Sequence, residues 1–282
     1  MGNLWSVVSH MFTSSPKWAT IDIPDLSGKV MIATGGNSGV GKEIIKALLE
    51  HNAKVYMASR SPDRAQGAIQ QLRDETGKEA LYLHLDLADL TSVRKSAEEF
   101  LSKETELHVL FNNAAVMACP VDELTKQGYD MQIGSNVLGH FLFTELLMPA
   151  LLNKKARVVT TSSSGAYLLR ANVIVARELA RRYGDKGIVS ISVNPGNLNT
   201  NLQKYLVGVQ KWIIVKRLLY PAHYGALTQL CAGTSPATVD YNGKFLISWA
   251  RLGEAPAVSG DPHSGKKLWE WLDQQCSGFY IG

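Results

Sequence analysis

The segment Thr34-Gly35-Gly36-Asn37-Ser38-Gly39-Val40-Gly41 directly follows the apolar run Lys29–Thr34. Glycines at this place permit a tight turn, let backbone N–H groups approach a pyrophosphate, and let a helix pack closely on the strand behind it. A helix starting near Val40 adds the positive end of its dipole to that anion. Gly35, Asn37, Ser38, Gly39, Val40 and Gly41 are therefore candidate phosphate-cradle residues. A merely structural turn is the plain alternative. Gly36-x4-Gly41-Lys42 also comes close to a P-loop, but Glu43 stands where Ser or Thr should hold magnesium, and its carboxylate would lie near the phosphates. Triphosphate hydrolysis is excluded on that ground. A second candidate is Ser59-Arg60, at the end of the next apolar run. Folds specific for NAD place Asp or Glu there to accept from the ribose hydroxyl. Arg60 offers instead a guanidinium fork for a 2′-phosphate, which favours NADP(H) over NAD(H). A solvated surface arginine is the other reading of that residue.

The elements that must hold these residues follow from periodicity. Lys29–Thr34, Lys54–Ser59, Ala80–Leu85, Leu107–Phe111, Arg157–Thr161, Ile188–Val193 and Gly243–Ser248 read as strands. Helices are expected over Val40–His51, after the second strand to about Glu75, over about Leu90–Lys103, over Met131–Leu152, and from Ala171 toward Lys186. Continuous apolar strands alternating with helices imply a parallel sheet covered on both faces, an α/β fold of the Rossmann doubly wound type. No repeat or linker interrupts the pattern. Residues 1–282 are read as one domain, with 1–27 an N-terminal extension and 198–220 a substrate lid.

Further residues stand in register with this frame. Asp86-Leu87 closes the third strand, Asn112-Asn113-Ala114-Ala115 follows the fourth, and Asn136 lies in Ser135-Asn-Val-Leu-Gly-His140. Ser162-Ser163 ends the fifth strand; Pro195-Gly196 and Thr200 follow the sixth. Together with Thr-Gly-x3-Gly-x-Gly, this order resembles the short-chain dehydrogenases/reductases, particularly their retinol-dehydrogenase-like branch, from about Gly28 to Gln274. The resemblance implies an adenine contact at Asp86 and Leu87, and a cofactor contact at Asn112, Asn113 and Ala114. Ala115 replaces the family's glycine there. It implies catalytic roles for Ser163, which orients the substrate, and for Asn136, which supports a proton relay. Pro195, Gly196 and Thr200 would contact the nicotinamide carboxamide.

One part of the family pattern is missing. A Tyr-x3-Lys pair should stand on the helix after the fifth strand, the tyrosine exchanging a proton with the substrate oxygen while the lysine lowers its pKa and holds the nicotinamide ribose. An unaided tyrosine titrates near pH 10, so the cation is needed. None of the ten tyrosines has lysine four residues later. Ala171–Ala180 resembles the part of the family helix that follows the lysine, which puts Gly165 and Leu169 at the tyrosine and lysine positions. Tyr167 and Arg170 lie nearby but three residues apart, and Tyr167 comes too soon after the strand. The junction reads as a deletion, leaving a crossover still long enough to form.

Composition narrows the rest. Hydrophobic residues are 45% and charged ones 19%, enough apolar material for one large core. The net charge of +4 is spread over separated clusters such as Lys154-Lys155 and Lys266-Lys267, so a nucleic-acid partner is not expected. Cys119, Cys231 and Cys276 lack CxxC spacing and suit reduced thiols in a cytoplasmic protein; the dispersed histidines suggest no metal site. The N-terminus fits the loose Met-Gly-x-x-x-Ser myristoylation pattern through Gly2 and Ser6. An amphipathic start that folds back, or weakly touches a membrane surface through Leu4, Trp5, Val8 and Phe12, is the plainer reading. Leu206, Val207 and Trp212–Val215 in the lid suggest a lipophilic alcohol or carbonyl substrate, or equally a helix packed on the core or on a second subunit. Trp269 and Trp271 are read as packing residues. Two functions remain: an NADP(H)-dependent oxidoreductase, or a non-catalytic NADP(H)-binding protein.

Overall fold

The computed structural model describes residues 16, 18–163, 170–200, 219–255 and 257–281. The expectations for the N-terminal pattern at Gly2 and Ser6, for Gly165, Tyr167 and Leu169, and for the lid between 201 and 218 lie outside these residues.

Eight strands form one sheet: β1 (Val30–Thr34), β2 (Lys54–Ser59), β3 (Leu81–His84), β4 (Val109–Asn112), β5 (Arg157–Thr161), β6 (Val189–Val193), β7 (Phe245–Ile247) and β8 (Arg251–Gly253). Their order is β3-β2-β1-β4-β5-β6-β7-β8, parallel except for the antiparallel β7–β8 pair. The helices are α1 (Gly39–Glu50), α2 (Pro62–Thr76), α3 (Leu90–Lys103), a composite α4 (131–146), α5 (Met148–Leu152), α6 (Ala171–Tyr183), α7 (Ala222–Thr234) and α8 (Pro262–Cys276).

Alternation along the strands divides the core. Met31, Ala33, Val55, Met57, Val109 and Phe111 face α1, α2 and α7, meeting Ile44, Ile45, Leu48, Leu72 and Leu230. Ile32, Tyr56, Ala58, Leu110 and Val158 face α3, α4, α6 and α8, meeting Val93, Phe100, Leu142, Leu179 and Leu272. Both faces are thus covered, as a parallel sheet requires. Ile23 and Leu26, at the end of the N-terminal extension, are buried in the first of these layers.

Four findings depart from the periodicity reading. The expected helix Met131–Leu152 is segmented: Met131–Ile133, a π-helical turn at Gly134–Gly139 and His140–Leu146 make up α4, and α5 follows separately. Pro149 in the first turn of α5 has no N–H to continue the ladder, which accounts for the restart at Met148. α7 was not expected, because every residue from Gly225 to Thr234 is buried and no polar face marks it. β8 is only three residues long. α8 also went unread, although Asp261 caps it by accepting from the His263 and Ser264 N–H groups and Pro262 opens it.

Candidate dinucleotide site

The C-terminal ends of β1, β4, β5 and β6 lie along one edge of the sheet, because these strands are parallel. Strand order changes direction between β1 and β4, which opens a crevice at that edge. The glycine turn fills the bottom of it. Gly35 and Gly39 adopt φ of +67° and +54°, the left-handed region open to glycine. A β-carbon at Gly41 would lie 2.5 Å from the Gly35 carbonyl oxygen and 2.8 Å from Asn113 Nδ2. A β-carbon at Gly35 would come within 3.0 Å of Ala114 Cα. The turn, α1 and the loop after β4 therefore meet backbone against backbone. Ser38 is the extended N-cap of α1 and its side chain makes no cap hydrogen bond, so the first amides of α1 face the crevice unoccupied by a cap.

Thr34 pins this assembly. Its Oγ1 accepts from the Asn113 and Ala114 N–H groups, each at 2.9 Å, and lies 2.9 Å from His140 Nε2. Asn113 Nδ2 donates to the Thr34 carbonyl at 2.9 Å, and Gln229 of α7 donates to Asn113 Oδ1 at 3.0 Å. Asn136 sits in the π-helical turn with its side chain paired to Val116, accepting from its N–H at 2.9 Å and donating to its carbonyl at 2.8 Å. Thr200 packs 3.5 Å from the β-carbon position of Gly39.

The structure thus brings Gly35–Gly41, Asn113, Ala114 and Thr200 into direct contact. The other sequence candidates lie on the same edge. Ser163 follows β5 and is exposed, just beyond Ser162, whose N–H bonds the Val193 carbonyl. Gly196 follows β6 at φ +89°, where a β-carbon would meet Ser248 Oγ at 2.6 Å; Pro195 precedes it. Asp86 ends the β3 segment, accepting from the Ala88 N–H at 3.0 Å, while the Leu87 carbonyl abuts Gly139. Arg60 stands exposed at the end of β2, and no hydrogen bond or ion pair holds it among the described residues. Three buried polar atoms at the C-terminal strand ends lack partners among those residues: Ser59 Oγ beside Arg60, Asn112 Oδ1 and Thr161 Oγ1. Asn112 Nδ2 donates to Thr144 Oγ1 at 2.9 Å.

Sequence reasoning missed His140 and Glu145, both on α4. Burial pushes the His140 imidazole down to about 4, against a hydrogen bond to the Asn136 carbonyl that works the other way. Glu145 shares with His140, Asn112, Thr144, Asn172 and Trp269 a cavity of about 10 Å³, room for one water. Burial raises its carboxyl to about 7, although Tyr183 O–H donates to Oε2 at 3.0 Å. Trp269 is a packing residue as expected, edge-on to Phe141 with centroids 4.9 Å apart. No group of metal-ligating side chains occurs among the described residues. Nor is any helix among them long and apolar enough to cross a membrane.

A glycine turn at the reversal point of such a sheet defines a dinucleotide-binding α/β fold. Within that class the chain belongs to the short-chain dehydrogenase family, whose model matches residues 29–210. A short-chain dehydrogenase/reductase of Armillaria gallica is 54% identical over 310 positions, covering 99% of this chain and 100% of the relative. Mouse retinol dehydrogenase 11 is 36% identical, over 73% of this chain and 72% of its own. Among solved structures, an uncharacterised protein from Mycobacterium paratuberculosis superposes with TM-score 0.72 at 26% identity, over 92% of this chain and 97% of that one. The Armillaria alignment spans 310 positions against 282 residues, so at least 28 of its positions have no counterpart in this chain.

Proposed function

We propose that this protein binds NADP(H) in the crevice at Gly35–Gly41, and that its family role is to interconvert a lipophilic alcohol and its carbonyl compound. The observation that carries the reading is the turn itself, where a β-carbon at Gly41 would strike the Gly35 carbonyl at 2.5 Å. Backbone approaches this close when amides, rather than side chains, must line the space. The buried, unpartnered Ser59 Oγ beside the exposed Arg60 supports a 2′-phosphate at the end of β2, a place without a carboxylate. Asp86 and Leu87 would border the adenine, and Asn112, Asn113 and Ala114 the ribose side. Pro195, Gly196 and Thr200 would meet the carboxamide, and Ser163 would orient the substrate oxygen. When bound, the cofactor supplies the hydride acceptor or donor. What this chain's own residues must add is a proton carrier.

That carrier has no counterpart in the Tyr-x3-Lys spacing of this sequence. A second reading follows from this fact and from the 28 or more positions absent relative to the Armillaria protein. In it, the missing segment falls between Ser163 and Ala171, and the chain as written binds NADP(H) without turning it over. The two readings share the binding step and differ in turnover.

Thermal unfolding with excess NADPH, and separately NADH, tests the binding step. Ligand at about one hundred times its dissociation constant adds about 2.7 kcal/mol of stability. The expected result is a clear shift with NADPH and a smaller one with NADH; no shift with either refutes the cofactor assignment. Reduction of NADP by lipophilic alcohols, followed at the nicotinamide absorbance, then separates the two readings. Transcript sequencing across codons 164–171 shows whether a longer message restores the pair.

A further inference from the structure

His140 lies at the centre of a hydrogen-bond network whose protons can be assigned by counting. The Thr34 hydroxyl has one hydrogen and two lone pairs. The Ala114 N–H and the Asn113 N–H, the latter shared with the Phe111 carbonyl at 3.0 Å, both lie 2.9 Å from the hydroxyl oxygen and take the two lone pairs. His140 Nε2, also at 2.9 Å, can then meet that oxygen only as an acceptor of its hydrogen. The Phe111 carbonyl, at 3.3 Å, is the weaker competitor for the same hydrogen. At the other side of the ring, His140 Nδ1 is 3.1 Å from the Asn136 carbonyl, which is itself an acceptor. Nδ1 must therefore carry the proton. Both ends of the ring demand the same tautomer.

We infer that His140 is a positioning residue of the cofactor cradle, a neutral imidazole with its proton fixed on Nδ1 that ties the turn after β1 to the π-helical turn of α4. Three backbone segments meet through it. Thr34 immediately precedes Gly35, Asn113 and Ala114 begin the loop after β4, and Asn136 lies where the ordinary helical ladder opens into a π-helical turn. Asn136 in turn holds Val116 of that same loop by both side-chain atoms, closing a circuit from Thr34 through His140 and back to the β4 loop. The ring is fully buried, and an imidazolium would turn Nε2 into a donor facing an oxygen whose lone pairs are already used. The groups around it are Thr34 and Asn136, with Asn112, Thr144 and Glu145 lining the adjoining cavity. The positioning role rests on the NADP(H) reading; the tautomer does not.

The test has two arms on the full chain. In ¹⁵N-labelled protein, the two-bond ¹H–¹⁵N spectrum of the imidazoles is recorded from pH 5.5 to 8, with the His140 signals identified by their loss in H140F or H140Q. A protonated Nδ1 and a bare Nε2, unchanged over that range, are expected. A proton on Nε2, or titration within the range, overturns the inference. NADPH affinity is then measured by fluorescence titration of the folded variants. H140F, which fills the space but bonds to neither side, should bind about tenfold more weakly, the equivalent of one lost hydrogen bond. H140Q, whose amide carbonyl can accept from Thr34, should return to within about threefold of the parent. Parent-like affinity in a folded H140F also overturns the inference. If the parent itself binds no NADPH, the cofactor reading fails, and the imidazole spectrum still decides the proton assignment.

Discussion

Glu145→Gln tests how the interior of the α4–α6 layer handles charge. Glu145 Oε2 accepts from Tyr183 O–H at 3.0 Å, whereas Oε1 is buried with no partner among the described residues. Burial is the largest cause of the raised pKa of about 7, reinforced by Asp273 and opposed by Tyr183 and by Arg182. In the unfolded chain the carboxyl titrates near 4.5. Below that value both states are protonated and nothing is lost. Between pH 4.5 and 7 the unfolded state gives up its proton first, so the stability associated with the protonated carboxyl disappears as pH rises through the folded value. The full loss above pH 7 is about 3 kcal/mol, since each tenfold difference in proton affinity between the folded and unfolded carboxyl is worth about 1.36 kcal/mol. Gln cannot ionise and still presents a carbonyl to Tyr183, so whatever packing it disturbs is the same at every pH. Urea denaturation of parent and variant at pH 5 and pH 8 measures this. The variant should gain up to about 3 kcal/mol relative to the parent on going from pH 5 to pH 8. An equal difference between the two proteins at both pH values would refute the account of Glu145 as a carboxyl kept protonated by burial.

Other outcomes follow from the site. Gly41→Ala sets a methyl 2.5 Å from the Gly35 carbonyl; about 1–3 kcal/mol of stability should be lost in denaturant titration, and with it the NADPH-induced thermal shift. Arg60→Ala removes an exposed side chain and should leave stability within about 0.5 kcal/mol. In the same titrations NADPH should bind about tenfold more weakly, or worse, with NADH unaffected; equal weakening of both would remove Arg60 from 2′-phosphate recognition. Thr34→Val keeps the shape but strips the hydroxyl partner from the Ala114 N–H and from His140 Nε2, and leaves the Asn113 N–H with the Phe111 carbonyl alone. It should cost about 2–3 kcal/mol, read from the urea midpoint.

What the sequence made legible was what local pattern determines. Apolar runs gave the strands of both layers, and the glycines gave the turn, because left-handed backbone at Gly35 and Gly39 is a demand that residue type records directly. α7 left no pattern, since a helix buried on every side from Gly225 to Thr234 has no polar stripe to set its period. The π-helical turn at Gly134–Gly139 was equally silent, because i→i+5 bonding writes no composition of its own. His140 and Glu145 look like ordinary polar positions on an amphipathic helix. Only the packing of β4, α6 and α8 against that face shows that they are enclosed with Asn112 and Trp269. Thr34 was visible as a motif residue, but its role depends on contacts 79 and 80 residues away.

The arrangement also bears on how binding and chemistry could be lost separately. The cradle draws on β1, α1, the loop after β4 and, through Gln229, α7, and the hydrogen bonds described for it join those elements to one another. The crossover on the far side of that junction is anchored independently. Asn172 Nδ2 donates to the Thr161 carbonyl at 2.9 Å, and Val173, Ala176 and Leu179 bury α6 against the sheet. A segment removed between Ser163 and Ala171 would therefore take away whatever side chains it carried while leaving β5, α6 and β6 in register. On the proposed reading, a chain that shifts with NADPH but does not turn over is a physically consistent state rather than a damaged fold. In such a chain, restoring a segment that carries Tyr-x3-Lys should restore turnover and tighten NADPH binding by about tenfold at most, because the lysine that the resemblance implies would add one contact to the nicotinamide ribose while the glycine cradle stays as it is.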